Sequence, residues 1–170
     1  MKIYDSFMYF DEDLLLDLRL NTLDKYVSKF VIIEATYTHN GTEKKLKFDI
    51  NKFKKFKDKI KYIVVDKQPS NILEIHGDDS DGEKGKKLIL NGYARDNHQR
   101  NKIIHGISDA SDEDIIIVSD LDEIPNLKNL NFDTIKNKII QFKQRMFYYK
   151  LNLHYPSLDW FGSKACRKKD

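Results

Sequence analysis

Short runs of β-branched and aromatic residues, separated by stretches with helical spacing, set the rhythm of this chain. Ile3 to Phe10 reads as a first strand, with Asp5 and Ser6 inside it. Asp11-Glu12-Asp13 then opens a helix, because carboxylates sit favourably on a first turn, and Leu14, Leu15, Leu18 and Thr22 supply an apolar stripe. Phe30-Val31-Ile32-Ile33 is a second buried strand, and Glu34 stands at its carboxyl end. His39-Asn40-Gly41-Thr42 has turn composition. Phe53, Phe56 and Ile60 space a short helix before a third strand, Ile60 to Val65. Residues 67–92 carry no clear period and read as a mobile surface insertion. Ala94 to Ile107 predicts a helix with Ile103, Ile104 and Ile107 toward the sheet. Ile139 to Leu153 predicts further strand, its Met146-Phe147-Tyr148-Tyr149 run reading as core rather than as a sugar platform.

The most informative stretch is Ile115-Ile116-Ile117-Val118-Ser119-Asp120-Leu121-Asp122-Glu123-Ile124-Pro125. Four β-branched apolar residues in a row suit a strand covered on both faces, as in a parallel sheet. The run stops at Ser119, three carboxylates follow, and Pro125 prevents the ladder from continuing. Strands alternating with helices make this an α/β chain, and ligands of open α/β sheets bind beyond the carboxyl ends of the strands. Asp120 and Asp122 reach one hard cation if the backbone turns between them, and magnesium or manganese accepts such oxygen ligands. The competing reading is that these acids only solubilise a turn. Gln99, Arg100 and Asn101 form a polar trio beside this strand. An arginine there pairs with phosphate, or else neutralises Asp120 or Asp122.

Composition narrows the picture. The 170 residues are 40% hydrophobic, enough for one domain with a real core. Residues 41–70 hold ten Lys against four acids, whereas residues 71–125 hold thirteen acids against six bases. The lysines interleave with apolar positions, as in Lys52-Phe53-Lys54-Lys55-Phe56-Lys57, so they read as a solvated amphipathic face and not as a nucleic-acid footprint. Cys166 is the only cysteine, which fits a reducing compartment. No apolar run approaches the roughly 18–20 residues that span a membrane, and no signal peptide is recognisable, so the expectation is a cytoplasmic protein.

Taken together, the segments resemble glycosyltransferase family 17, the family of β-1,4-mannosyl-glycoprotein 4-β-N-acetylglucosaminyltransferase. The resemblance runs through Tyr4-Asp5-Ser6-Phe7, Asp13 to Leu20, Phe30 to Ala35, Lys55 to Ile60, Gln99-Arg100-Asn101 and Asp114 to Pro125. It implies a GT-A-like fold with a Rossmann-type, mostly parallel sheet flanked by helices. It also implies inverting transfer from a UDP-sugar, typically UDP-N-acetylglucosamine, to a glycan acceptor. On that reading Mn2+ or Mg2+ is held by Asp122 with Asp120 and Glu123. Asp120, Arg100 and Asn101 contact the donor, and Glu34 or Asp5 the uridine. The resemblance departs at Tyr93 and Asp96, where the family usually has Trp and Glu. A later Gly-Trp-His-type segment of the family has no counterpart here, and the catalytic base is unassigned.

Two other functions fit parts of the pattern. A non-catalytic, truncated nucleotide-sugar-binding module would keep the acidic turn without transfer. A phosphohydrolase of the haloacid-dehalogenase type would use Asp120 as nucleophile, but only 48 residues follow Asp122 and they lack that site's later Lys and acidic pair.

Overall fold

A computed structural model describes residues 1–150 and 152–170. Six strands form one sheet in the order β3-β2-β1-β4-β8-β5. β1 (Ile3–Met8), β2 (Lys29–Ala35), β3 (Ile60–Val65) and β4 (Ile115–Ser119) are mutually parallel, while β8 (Lys164–Arg167) and β5 (Ile140–Gln141) add antiparallel. This is the mixed, mostly parallel α/β sheet that the strand–helix rhythm predicts. β6 (Gln144–Phe147) and β7 (His154–Trp160) pair only with each other.

Side chains of the central strands alternate between two cores, which is why β4 has no polar alternation. Ile115 and Ile117 join Phe7, Phe30 and Ile32 under helix α1 (Asp13–Leu23). Ile116 joins Tyr4, Val31 and Ile33 under Ile103 and Ile107, at the short helix α3 (Ile103–Gly106). Phe53 and Phe56, from the 3₁₀ segment Ile50–Lys59, close the first core. Gly106 allows the second helical layer its close approach, since a Cβ there would overlap the Val31 side chain.

Four expectations need correction. The buried face of α1 is Leu16, Arg19, Leu20 and Leu23, not the stripe through Leu14 and Leu18, which are exposed. Two helical phases compete in this leucine-rich segment, and a buried arginine disguises the correct one. Residues 67–92 do not lack regular structure throughout, because helix α2 (Asp81–Asn101) starts inside them. Ser80 and Glu83 form a reciprocal capping box at its start, a signal readable in the sequence as S-x-x-E. The strap before the helix is tied to it, with the buried Asn91 amide donating to Leu73 O at 2.8 Å and accepting from Leu73 N at 2.7 Å. Ile104 is 60% exposed, because Ile103 and Ile107 already occupy the sheet side. Finally, the aromatic run from Phe147 to Tyr149 is exposed, since β6 belongs to the separate hairpin and not to the sheet. Leu151, within the segment expected to be strand, lies outside the described residues.

Gly106→Ala is expected to destabilise the fold by about 1–3 kcal/mol, because overpacking against Val31 outweighs the roughly 1 kcal/mol helix preference for Ala. A lowered urea midpoint at unchanged slope checks this; an unchanged or raised midpoint contradicts it.

Candidate active site

Strand order reverses at β1, which lies between β2 and β4, so the crevice at their carboxyl ends is a topological switch point. A cleft of about 640 Å³ opens there. Met8, Tyr9 and Phe10 line it from the end of β1, Tyr37 to Asn40 from beyond β2, and Asp120, Leu121 and Asp122 from beyond β4. Glu12, Leu15, Lys44 and Gln99 complete the lining.

The acidic wall is fixed from below by Arg19, which is fully buried. Its Nε and Nη2 donate to the two carboxylate oxygens of Asp5 at 2.8 and 2.7 Å, and Nη2 also to Ser119 Oγ at 2.6 Å. Nη1 donates to the carbonyls of Asp120, Leu121 and Glu123 at 2.9, 3.0 and 3.1 Å. With its carbonyls directed inward, the turn leaves the Asp120 and Asp122 side chains exposed at the cleft. Glu123 braces the turn from the other side. Its carboxylate accepts from Asp120 N at 3.0 Å and from Trp160 Nε1 at 2.6 Å, and its carbonyl from Ser163 Oγ at 2.8 Å.

The opposite wall, the segment after β2, is fixed by two buried charges. Arg95 of α2 donates to His39 O at 3.1 Å and packs over Gly41, whose φ of +90° and missing Cβ are both required there. Glu34 accepts from Lys44 Nζ, from the backbone of Lys47 and Phe48 at 2.8 and 3.1 Å, and from Tyr62 Oη at 2.7 Å. Burial and this bond to Glu34 push the Tyr62 hydroxyl pKa well above its ordinary value, so it stays a donor.

The glycosyltransferase family 17 model matches residues 1–168, nearly the whole chain. The chain belongs to that family. Searches of curated proteins and of solved structures find no match to it. Membership makes it a glycosyltransferase, a class that takes a sugar donor and a glycan acceptor. Among the described residues no helix is long and apolar enough to cross a membrane.

For a family 17 chain, the expected site residues divide sharply. Asp120 and Asp122 line the cleft. Arg100 stands behind them, with Nη2 at 2.9 Å from Asp120 Oδ1 and 3.5 Å from Asp96 Oδ2. Burial tends to lower its pKa, but the two carboxylates outweigh that and hold it above the ordinary value. Of the two roles expected for Arg100, the structure contains the neutralisation of Asp120. Asn101, at the end of α2, is exposed and not among the cleft-lining residues. Asp5 and Glu34, expected against the uridine, are corrected to buried supports. Both are 0% exposed, and their carboxylates are consumed by Arg19 and by the Lys44–Phe48 segment. Glu123, expected as a metal ligand, is not among the cleft-lining residues, and in this structure its two oxygens brace the turn and Trp160. The sequence reading missed Tyr9, Phe10, Tyr37 and Lys44, which the fold gathers from the segments after β1 and β2.

No group of three or more His, Cys, Asp or Glu side chains suited to a metal is found among the described residues. The Asp122 carboxylate and the free Oδ2 of Asp120 offer hard oxygens at the mouth of the cleft. That donor set fits magnesium or manganese held by one or two carboxylates, with substrate phosphates and water supplying the other ligands.

Removing the guanidinium leaves Asp5 buried without a partner. Arg19→Leu is expected to cost about 3–5 kcal/mol in a urea titration. A loss below about 1 kcal/mol would contradict this central role.

Proposed function

We propose that this family 17 member transfers N-acetylglucosamine, or a related sugar, from a UDP-sugar to a glycan with inversion, using manganese or magnesium in a GT-A type of site. The observation that carries the reading is the pair of solvent-facing carboxylates, Asp120 and Asp122, at the mouth of the switch-point cleft. On this reading they hold the ion at the donor's diphosphate. When bound, the ion supplies charge neutralisation for the departing nucleotide diphosphate.

The protein's own residues do the rest by positioning. Arg19 and Glu123 fix the turn's backbone from two sides, so Asp120 and Asp122 need little reorganisation on binding. Arg100, bound to Asp120, is on this reading the cation that pairs with a donor phosphate. Phe10 and Tyr37 give the cleft flat apolar walls suited to a pyrimidine ring. The segment held by Arg95 and Glu34 keeps those walls at a fixed spacing.

Isothermal calorimetry with UDP, with and without manganese, is the direct test. Metal-dependent binding that Asp122→Ala abolishes is expected. An absence of UDP binding in both conditions sinks the reading. Release of UDP from UDP-N-acetylglucosamine then separates a transferase from a module that binds without turnover. Arg100→Ala is expected to weaken UDP binding about tenfold or more, the worth of a charge-assisted hydrogen bond. Its melting temperature should barely move, since a partly exposed ion pair contributes only about 0–1 kcal/mol. A lowered melting temperature with intact affinity would mean that Arg100 serves only to neutralise Asp120.

A further inference from the structure

The β6–β7 hairpin is built unlike anything else in the chain. Every residue of β7 is exposed, and neither strand joins the six-stranded sheet. Two strands alone bury little surface, and such a hairpin is marginal in water. Yet Tyr148, Tyr155 and Trp160 are 49%, 48% and 39% exposed, and Tyr149 at the tip is 93% exposed. The rings support one another: centroids lie 6.1 Å apart for Tyr148 and Tyr155, and 5.5 Å for Phe147 and His154. In the register Gln144 lies opposite Trp160, and the next pair, Arg145 and Asp159, belongs to the other face of the ribbon. Rings held half-open beside hydrogen-bonding side chains match a ligand with apolar faces and polar edges, which is the character of a pyranose.

The hairpin also begins beside the acidic turn. Trp160 Nε1 donates to Glu123 Oε1 at 2.6 Å, and the other oxygen of Glu123 accepts from Asp120 N at 3.0 Å. Gly162, at the foot of β7, leaves room for that carboxylate, since a Cβ would overlap it. Two hydrogen bonds therefore connect the aromatic surface to the backbone of a cleft-lining aspartate.

We propose that the β6–β7 hairpin is the acceptor platform, on which Tyr148, Tyr155 and Trp160 stack against the sugar rings of an oligosaccharide. The inference rests on the transferase reading above and adds where the acceptor lies. The Trp160–Glu123 contact sets the distance between the stacked acceptor and the acidic turn.

Trp160 is the only tryptophan in the chain, so its fluorescence reports on this surface directly. The whole protein is titrated with mannotriose, chitotriose and lactose, and UDP affinity in manganese is measured in parallel. The expected result is a saturable change in Trp160 emission with at least one of the three. Tyr148→Ala/Tyr155→Ala should weaken it about tenfold or more while UDP affinity and melting temperature hold. The single change Tyr155→Ala serves if the double variant folds poorly. No response to any of the three sugars overturns the proposal, as does a response that the tyrosine variants leave unaltered. Concentration-dependent self-association in sedimentation, lost in the double variant, also overturns it by making the hairpin an interface between copies. If UDP binds and the sugars do not, only the platform fails; if UDP does not bind, the donor reading fails first.

Discussion

A guanidinium with no contact to water holds this site together. Removing Arg19 and Asp5 from solvent costs several kcal/mol for each ion, and a single ion pair rarely offsets that. Here the pair is bidentate, and the remaining donors go to Ser119 and to three carbonyls of the turn after β4. One side chain of α1 thus binds the middle of β1, the last residue of β4 and the backbone of the acidic turn. The turn's carbonyls face inward to this charge, and its carboxylates are left facing out.

The two walls of the cleft follow a common plan. Each is an irregular segment beyond a strand, and each is held by a buried charged side chain that makes several backbone contacts. Arg19 serves the turn after β4, and Glu34 and Arg95 serve the segment after β2. Loops need such support because their backbone groups lack ladder partners. Acids and bases that look like ligand contacts in the sequence are therefore used as scaffold, one layer below the surface that meets a ligand.

That layering explains what was legible in the sequence. The strands were, because Phe30 and Ile115 begin unbroken apolar runs that only a doubly covered sheet accepts, and Ile3 and Ile60 begin β-branched and aromatic segments of matching length. Asp120 and Asp122 were, because the change from apolar to acidic marks the strand's end. Asp5 and Glu34 were misread, because a carboxylate inside or at the end of a strand looks the same whether it faces a ligand or a buried partner. Arg19 was missed for the complementary reason: a charged residue on the inner face of α1 is indistinguishable, by period alone, from one on its outer face. The aromatics of the hairpin were read as core, since hydrophobicity does not reveal whether a strand has a sheet to join. Ser80-Asp81-Gly82-Glu83 was a readable helix start hidden by its resemblance to a loop.

The pairing of β1 with β4 bears on how the molecule comes into being. Their registers join Ile3 to Ile115, and Lys2 N donates to Asp114 Oδ1 across 112 residues. β4 then takes β8 as its other neighbour, so the central strand is not enclosed until Lys164–Arg167 has arrived. Long-range parallel pairing forms late, because the entropy of closing the loop opposes it until the contacts are made. On the ribosome, α1 and the first three strands can assemble while Arg19 still lacks its carbonyl partners. The contacts between Arg19 and the acidic turn cannot form before residues 119–123 exist, so a chain that stops short of them carries the rest of the cleft without its acidic edge.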